Sequence, residues 1–576
     1  MNTLMTGNEA IARGAYEYGI SIAAAYPGTP STEILENIAK YPEVYSQWSP
    51  NEKVAAEVAV GAAIAGARSL VAMKMVGVNV AADPLFTAAY TGTRAGLVLI
   101  SADDPGMHSS QNEQDNRYYA AFAKIPLLEP SDSQECKDMV GLALAISEEF
   151  DTPVMLRITT RVAHSQSMVE LKDPGERPLK AYEKDARKYV MLPAHGRARR
   201  LVVAEREKKL AEYAESVSVN RMEMSDPAIG IITAGISYQY VKEGAPGASI
   251  LKLGLTNPLP EQLIRDFAAK VGRLYVVEEL EPYMENQIRA MGIEVTGKEL
   301  FPPYGELSAR LVREKLTGDP GPAVDAPFEA PIRPPVMCPG CPHRPVFYTL
   351  KQLKLVVSGD IGCYTLGTAA PLEAMDTCIC MGASVSGALG MEKAHPELAE
   401  KMVAVIGDST FMHSGVTGLM DIVYNGGNTT VMILDNSITA MTGHQENPAT
   451  GKTLMGQPAP KVDFVALVKA LGVKRVSEVD PFELEELKQV IKTEVAAKEP
   501  SVIITRRPCA LIIKNTEKPL EVHDCTGCKM CLKLGCPALS FDEANKTAVV
   551  DAALCTGCGV CMEVCKFNAL RKAGEA

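Results

Sequence analysis

The stretch Met402–Ile438, MVAVIGDSTFMHSGVTGLMDIVYNGGNTTVMILDNSI, decides the fold. Its first run, MVAVIG, and its last, TVMILD, are short, apolar and unbroken, as strands buried on both faces of a parallel sheet are. The segment between them reads as a helical connection, so the unit is strand–helix–strand. Both strands end in polar residues: Gly407-Asp408-Ser409 after the first, Asp435-Asn436-Ser437-Ile438 after the second, with Asp408 and Asn436 28 positions apart. In a parallel sheet both ends lie at the carboxyl edge, where crevices bind ligands. An aspartate oxygen, an asparagine amide oxygen and a main-chain carbonyl are hard ligands, suited to Mg2+ that also holds a diphosphate. G-D and D-N dipeptides equally mark ordinary turns, which is the competing reading.

The alternation extends outward. Toward the N-terminus, ISIAAAYPGTP, the alanine-rich helix EKVAAEVAVGAAIAGA, SLVAMKM, GLVLISADD and TPVMLRITTR place another parallel α/β unit over 1–170. A charged, helix-prone stretch, roughly 174–218, leads into IGIITAGISYQYVKEG, SILKLGL and RLYVVEEL, a smaller α/β domain within 171–320. The run TGDPGPAVDAPFEAPIRPPV has no periodicity, so 321–336 is a linker. The opening stretch belongs to a third α/β unit over 337–512, with LVVSGDIG and SVIITRR as further strands, and 513–576 remains as a C-terminal α+β domain.

That tail carries eight cysteines in two runs, Cys525-x2-Cys528-x2-Cys531-x4-Cys536-Pro537 and Cys555-x2-Cys558-x2-Cys561-x3-Cys565. Thiolates at this spacing wrap cubane iron–sulfur clusters, and in two-cluster ferredoxins the fourth cysteine of each run ligates the other cluster. One 4Fe–4S centre is therefore expected on Cys525, Cys528, Cys531 and Cys565, and a second on Cys555, Cys558, Cys561 and Cys536. Zinc is the rival for any C-x2-C pair, but a zinc tetrad needs two pairs, whereas here a third cysteine follows at x2 in both runs. The gap before Cys536 is one residue longer than usual, which leaves that loop's geometry open.

Fifteen cysteines, an odd number concentrated in C-x2-C groups, argue for metal ligation in a reducing compartment over a disulfide framework. The start, MNTLMTGNEA, lacks a basic region followed by an apolar one, and no stretch approaches the length of a membrane span. A cytoplasmic protein without membrane contact is expected. The net charge of −12 would repel phosphates, which disfavours nucleic acid and suits either soluble electron transfer or simple solubility.

Gly407-Asp408 and Asn436 at this spacing resemble the Mg2+–diphosphate motif of thiamine-diphosphate enzymes, with Ser409 in place of the usual third glycine. The resemblance implies Asp408 and Asn436 as side-chain Mg2+ ligands, the Ile438 carbonyl as a third, and Gly407 beside the cofactor. Such enzymes also place an activating glutamate nine positions before a glycine of a small-residue helix; counting back from Gly61 gives Glu52, with Glu57 as runner-up. A solvated first-turn glutamate complementing the helix dipole fits Glu52 as well on local grounds.

Three further segments carry a closer resemblance. Ala25-Tyr26-Pro27-Gly28-Thr29-Pro30-Ser31-Thr32, Cys338-Pro339-Gly340-Cys341 and Gly359-Asp360-Ile361-Gly362-Cys363 are similar to the YPITPS, CPGC and GIGC segments of 2-oxoacid:ferredoxin oxidoreductases. With the domain order, essentially the whole chain resembles the large subunit of that family's indolepyruvate-oxidising branch. The implied fold is two doubly wound thiamine-diphosphate domains, a middle α/β domain and a two-cluster ferredoxin-like α+β domain. The implied reaction is coenzyme A-dependent oxidative decarboxylation of arylpyruvates such as indole-3-pyruvate, with electrons passed to ferredoxin. A domain missing relative to longer single-chain relatives implies a small beta subunit, in an α2β2 assembly.

By the same resemblance Thr29 contacts the substrate, although Thr29-Pro30 also suits a helix N-cap. Cys363 lies beside the cofactor. Cys338, Cys341, Cys363 and Cys509 either hold a third 4Fe–4S cluster or are buried small hydrophobes; Tyr364 departs from the small residue usual after Cys363. Arg117, in SSQNEQDNRYY, is a substrate-carboxylate clamp or a surface arginine, and His343, in CPGCPHR, bonds cluster or diphosphate, or neither. The alternatives are a relative of different substrate preference, a non-oxidative thiamine-dependent decarboxylase, which has no use for ferredoxin cysteines, and a bare electron carrier, which has none for the rest.

Overall fold

Unbroken apolar runs become the central strands of two sheets. The computed structural model describes residues 1–322, 329, 331, 333–514 and 517–574, and the chain folds as two compact units, Met1–Pro327 and Phe328–Ala576. Of the linker expected over 321–336, residues 323–328, 330 and 332 lie outside the described residues.

In the first unit a seven-stranded sheet runs, edge to edge, Leu255–Asn257, Leu127–Leu128, Val154–Thr159, Leu97–Asp103, Ser69–Lys74, Ile22–Ala25 and Tyr45–Trp48. Leu255–Asn257 pairs antiparallel and the rest are parallel. From Ile22–Ala25 the chain first moves out to the edge strand Tyr45–Trp48, then returns to Ser69–Lys74 on the other side. That reversal opens a crevice at the strands' carboxyl ends. Four strands, Arg273–Val277, Asp226–Ala234, Ala248–Leu253 and Arg221–Glu223, form a second sheet around Ile232, Leu251, Phe267 and Val276. Leu255–Asn257 leaves this smaller region to complete the edge of the larger sheet.

The second unit holds a six-stranded, all-parallel sheet in the order Thr377–Cys378, Val356–Gly359, Met402–Gly407, Thr430–Asp435, Ser501–Arg506 and Arg475–Val479. Val403, Val405, Met432 and Ile503 are wholly buried on one face, and Ala404, Ile406, Ile433 and Ile504 on the other, as their unbroken apolar runs require. Chain order reverses between Val356–Gly359 and Met402–Gly407, so Asp360 and Asp408 both emerge at a switch point. The tail adds two antiparallel pairs, Leu520–Val522 with Leu570–Lys572 and Leu539–Asp542 with Thr547–Val550. Leu534, Val560 and Leu570 join the core that contains Phe347 and Leu350.

Candidate active site

Asp408 begins where strand Met402–Gly407 ends, and Asn436 where Thr430–Asp435 ends. Burial, with the neighbouring Asp435 carboxylate, pushes Asp408 up to about 8. Its Oδ1 accepts from the Ser409 amide at 2.7 Å; Oδ2 is buried and finds no donor. One end of the Asn436 amide lies 2.7 Å from the Ile438 carbonyl oxygen and 3.3 Å from Asp408 Oδ1. With nitrogen there it donates to both. With oxygen there, three oxygens converge on one point, an arrangement that a cation relieves. The donor set and the orphaned carboxylate oxygen thus fit Mg2+. Tyr364 packs over Gly407, where a Cβ would come within 2.7 Å of its ring. Its hydroxyl donates to the Ile361 carbonyl at 2.9 Å. The large residue after Cys363 is therefore accommodated by a glycine on the adjacent strand. Asp360 accepts from the Gly382 and Ser384 amides, both at 2.9 Å, and so caps helix Ala383–Ala394.

Cysteines gather beside this crevice. The Cys509 amide donates to the Asn436 carbonyl at 2.9 Å. Burial, then the neighbouring Cys363 and Cys338, pushes Cys341 up to about 12; burial, then Cys509 and Cys338, pushes Cys363 up to about 11. The structure thus brings Cys338, Cys341, Cys363 and Cys509 together. His343 is buried, pushed down to about 4 by that burial, and lies 3.4 Å from the Asn436 amide nitrogen.

In the tail, Cys531 has Cys525, Cys565 and Cys528 as electrostatic neighbours, and Cys536 has Cys558 and Cys555. The fourth cysteine of each run stands with the other run, as crossed ligation requires. Amides of Gly527 and Ala548 donate to Cys525 Sγ at 3.4 Å, and the Ala569 amide to Cys565 Sγ at 3.3 Å. The extra residue before Cys536 is absorbed at Gly535, whose φ of +65° favours glycine and whose Cβ would meet Pro371 at 2.6 Å. Among the described residues no three His, Cys, Asp or Glu side chains converge tightly enough to chelate a single ion.

In the first unit, Glu52 opens helix Glu52–Ile64 behind Asn51, whose side chain caps the Val54 amide at 2.9 Å. Glu52 is only 5% exposed, so the solvated first-turn reading does not hold. A Cβ on Gly77 would lie 2.7 Å from Glu52 Oε1; the glycine makes room for the carboxylate. Glu57 is exposed and paired with Lys53. Thr29 sits in the loop after Ile22–Ala25, its carbonyl 3.4 Å from Ser109 Oγ. It is no N-cap: the next helix starts at Thr32 behind Ser31. Lys74, packed against Gly28, went unnoticed in sequence. Its ammonium donates to the Ser109 carbonyl at 2.5 Å, and burial pushes it down to about 8.

Arg117 is neither on the surface nor open to a substrate. At 1% exposure it grips Asp115 with Nε at 2.9 and 3.0 Å, Glu278 at 2.6 Å, and the Glu279 and Glu281 carbonyls at 2.9 and 3.1 Å. Arg157 alongside binds Asp103 and Glu129, both at 2.6 Å. The network joins the two sheets of this unit.

A crevice of converging oxygens at a parallel-sheet switch point, flanked by grouped cysteines, fits an iron–sulfur oxidoreductase built on a thiamine-enzyme fold. Comparisons agree. Residues 13–224 match the family model described as pyruvate flavodoxin/ferredoxin oxidoreductase, thiamine diP-binding, residues 360–505 the thiamine pyrophosphate enzyme C-terminal TPP-binding domain, and residues 548–571 the 4Fe-4S binding domain. The indolepyruvate oxidoreductase subunit IorA of Archaeoglobus fulgidus is 41% identical, the match covering 99% of this chain and 97% of that protein. Those of Pyrococcus horikoshii and Methanothermobacter marburgensis are 40% and 38% identical over the same shares. The chain belongs to the 2-oxoacid:ferredoxin oxidoreductases, in the branch of the indolepyruvate oxidoreductase IorA subunits.

Proposed function

We propose that the chain is the thiamine- and cluster-bearing subunit of an enzyme that oxidises arylpyruvates, indole-3-pyruvate among them. Arylpyruvate and coenzyme A give arylacetyl-coenzyme A, CO2, one proton and two electrons, which leave singly for ferredoxin. The observation that carries this reading is the direct bond from Cys509 to Asn436, which sets a cysteine group against the oxygen-lined crevice. Thiamine diphosphate, when bound, supplies the electron sink for loss of CO2.

Each residue then has a role. Asp408 and Asn436 Oδ1, with the Ile438 carbonyl, hold Mg2+ and through it the diphosphate. Glu52, buried against Gly77, keeps a carboxylate dry for proton exchange with the aminopyrimidine ring. Thr29 positions the 2-oxoacid. The two tail sets carry 4Fe–4S clusters, and Cys338, Cys341, Cys363 and Cys509 hold a third. The relatives' designation as subunits supports a second polypeptide; in this proposal it is a small beta subunit and the assembly is α2β2.

The test is copurification with that partner, then a 2-oxoacid panel under anaerobic conditions. Arylpyruvates should be turned over best and 2-oxoglutarate worst, because its second carboxylate would need a buried partner. Equal kcat/KM across the panel would contradict the arylpyruvate assignment.

A further inference from the structure

Arg344 is a buried cation without a carboxylate. It lies in the first turn of helix His343–Leu353, 5% exposed, and among the described residues no Asp or Glu carboxylate stands against it, only cysteines. Its guanidinium is spent on main-chain oxygens from two separate loops. Nη1 donates to the carbonyls of Leu534, at 2.9 Å, and Gly535. Nη2 donates to those of Met337 and Cys338, the latter at 3.2 Å. One loop leads into Cys536; the other begins the Cys338–Cys341 turn. Nε is buried with no acceptor.

Carbonyl dipoles orient a guanidinium but supply no counter-charge, and an ion taken out of water unpaired costs several kcal/mol. The nearest groups able to become anionic are Cys536, Cys341, Cys558 and Cys338, in that order of influence. Two of these, Cys536, the strongest of the four, and Cys558, belong to one tail set, and Cys341 and Cys338 to the set beside the crevice. As neutral thiols they would leave the charge unrepaid. A cubane wrapped by four thiolates is a net anion, and gains one more negative charge on reduction, so the cation and the cluster would compensate each other. Net charge and the surrounding shell are levers that set iron–sulfur potentials.

We propose that Arg344 is the electrostatic tuning residue of the cluster held by Cys555, Cys558, Cys561 and Cys536: its fixed positive charge raises that cluster's reduction potential, making it the favoured acceptor for electrons arriving from the crevice. This rests on the reading that the tail cysteines hold 4Fe–4S clusters. Each step adds one electron to the cluster and moves no atom; the oxidised 2-oxoacid is the source and the next acceptor the sink. The other tail cluster is the internal control. The lysines next to its cysteines in sequence, Lys529, Lys533 and Lys566, are all exposed, and Lys529 is paired with Glu543 at 2.6 Å.

The experiment is redox potentiometry followed by electron paramagnetic resonance on the iron-loaded full chain, wild type against Arg344→Gln and Arg344→Lys. Gln should move one tail wave negative by a tenfold change in reduced-to-oxidised ratio, about 59 mV for one electron, and leave the other tail wave in place. Lys, which keeps the charge and loses the planar fork, should hold the wave within that limit. Unmoved waves in a fully loaded Gln variant overturn the proposal. So does a Lys variant that shifts as far as Gln, since lost hydrogen bonds would then be the cause; if Gln fails to load iron, a Lys wave displaced by that limit or more overturns the proposal by itself. A wild-type chain with no reducible 4Fe–4S signal, or one that keeps every one of its 4Fe–4S waves in Cys536→Ala/Cys555→Ala, would instead refute the cluster reading beneath it.

Discussion

Replacing Arg117 by methionine separates an internal clasp from a substrate clamp. Methionine keeps most of the volume and removes the charge. Asp115 retains only Arg157, at 3.7 Å, as a cation, and Glu278 retains the Met284 and Glu285 amides, each at 3.0 Å. Breaking a buried ion pair by removing one partner costs about 3–5 kcal/mol. For a 327-residue unit, an unfolding entropy of about 2.1 cal/mol/K per residue amounts to roughly 0.7 kcal/mol/K, so the unit's Tm should fall by about 4–7 °C. The deficit should also depend on pH. Burial alone would push Asp115 up, but Arg117 and Arg157 more than offset it and hold its carboxyl below the ordinary value. A depressed carboxyl contributes stability above its unfolded pKa and loses it as pH falls through its folded pKa. The difference between wild type and variant is therefore largest near neutrality and shrinks in acid. Calorimetry across pH, with substrate affinity measured well below Tm, is the assay. An unchanged Tm together with a raised KM would refute the clasp and restore the clamp.

Glu52→Gln should still bind thiamine diphosphate while hydrogen–deuterium exchange at the thiazolium carbon stops; exchange at the wild-type rate removes Glu52 from the mechanism. Asp408→Asn should weaken Mg2+-dependent binding of the cofactor by about tenfold or more, measured by calorimetric titration with and without chelator, and equal affinity would put the anchor elsewhere. Anaerobic iron analysis should find about twelve iron atoms per chain if Cys338, Cys341, Cys363 and Cys509 hold a cluster. About eight, with spectra unchanged in Cys338→Ala, would end that assignment.

The central strands were legible because burial on both faces leaves an unbroken apolar signature, as in Met402–Gly407 and Thr430–Asp435. Tyr45–Trp48 and Arg475–Val479 escaped notice because each lies at a sheet edge, where polar residues break the run. The oxygen ligands could be read from their place after strands. Arg117 could not, since a buried ion-pair network in SSQNEQDNRYY has the composition of a surface loop, and its partner Glu278 lies 161 positions away. Arg344 is harder still: its acceptors at Leu534 and Gly535 are 190 and 191 residues distant and are backbone atoms, which no side-chain pattern announces. Lys74 had one usable signal, a lone charge ending the apolar strand Ser69–Lys74 at the carboxyl edge.

In the proposed reaction, loss of CO2 is coupled to electron exit through the tail. Its most direct measurement is a single anaerobic turnover of the iron-loaded chain with its partner subunit, thiamine diphosphate, Mg2+, coenzyme A and indole-3-pyruvate, following CO2 release and cluster reduction together, with and without oxidised ferredoxin. The clusters should be reduced as CO2 appears, and further release should stop until oxidised ferredoxin is supplied. Sustained CO2 release without an acceptor, with the clusters left oxidised, would contradict that coupling and make the chain a non-oxidative decarboxylase.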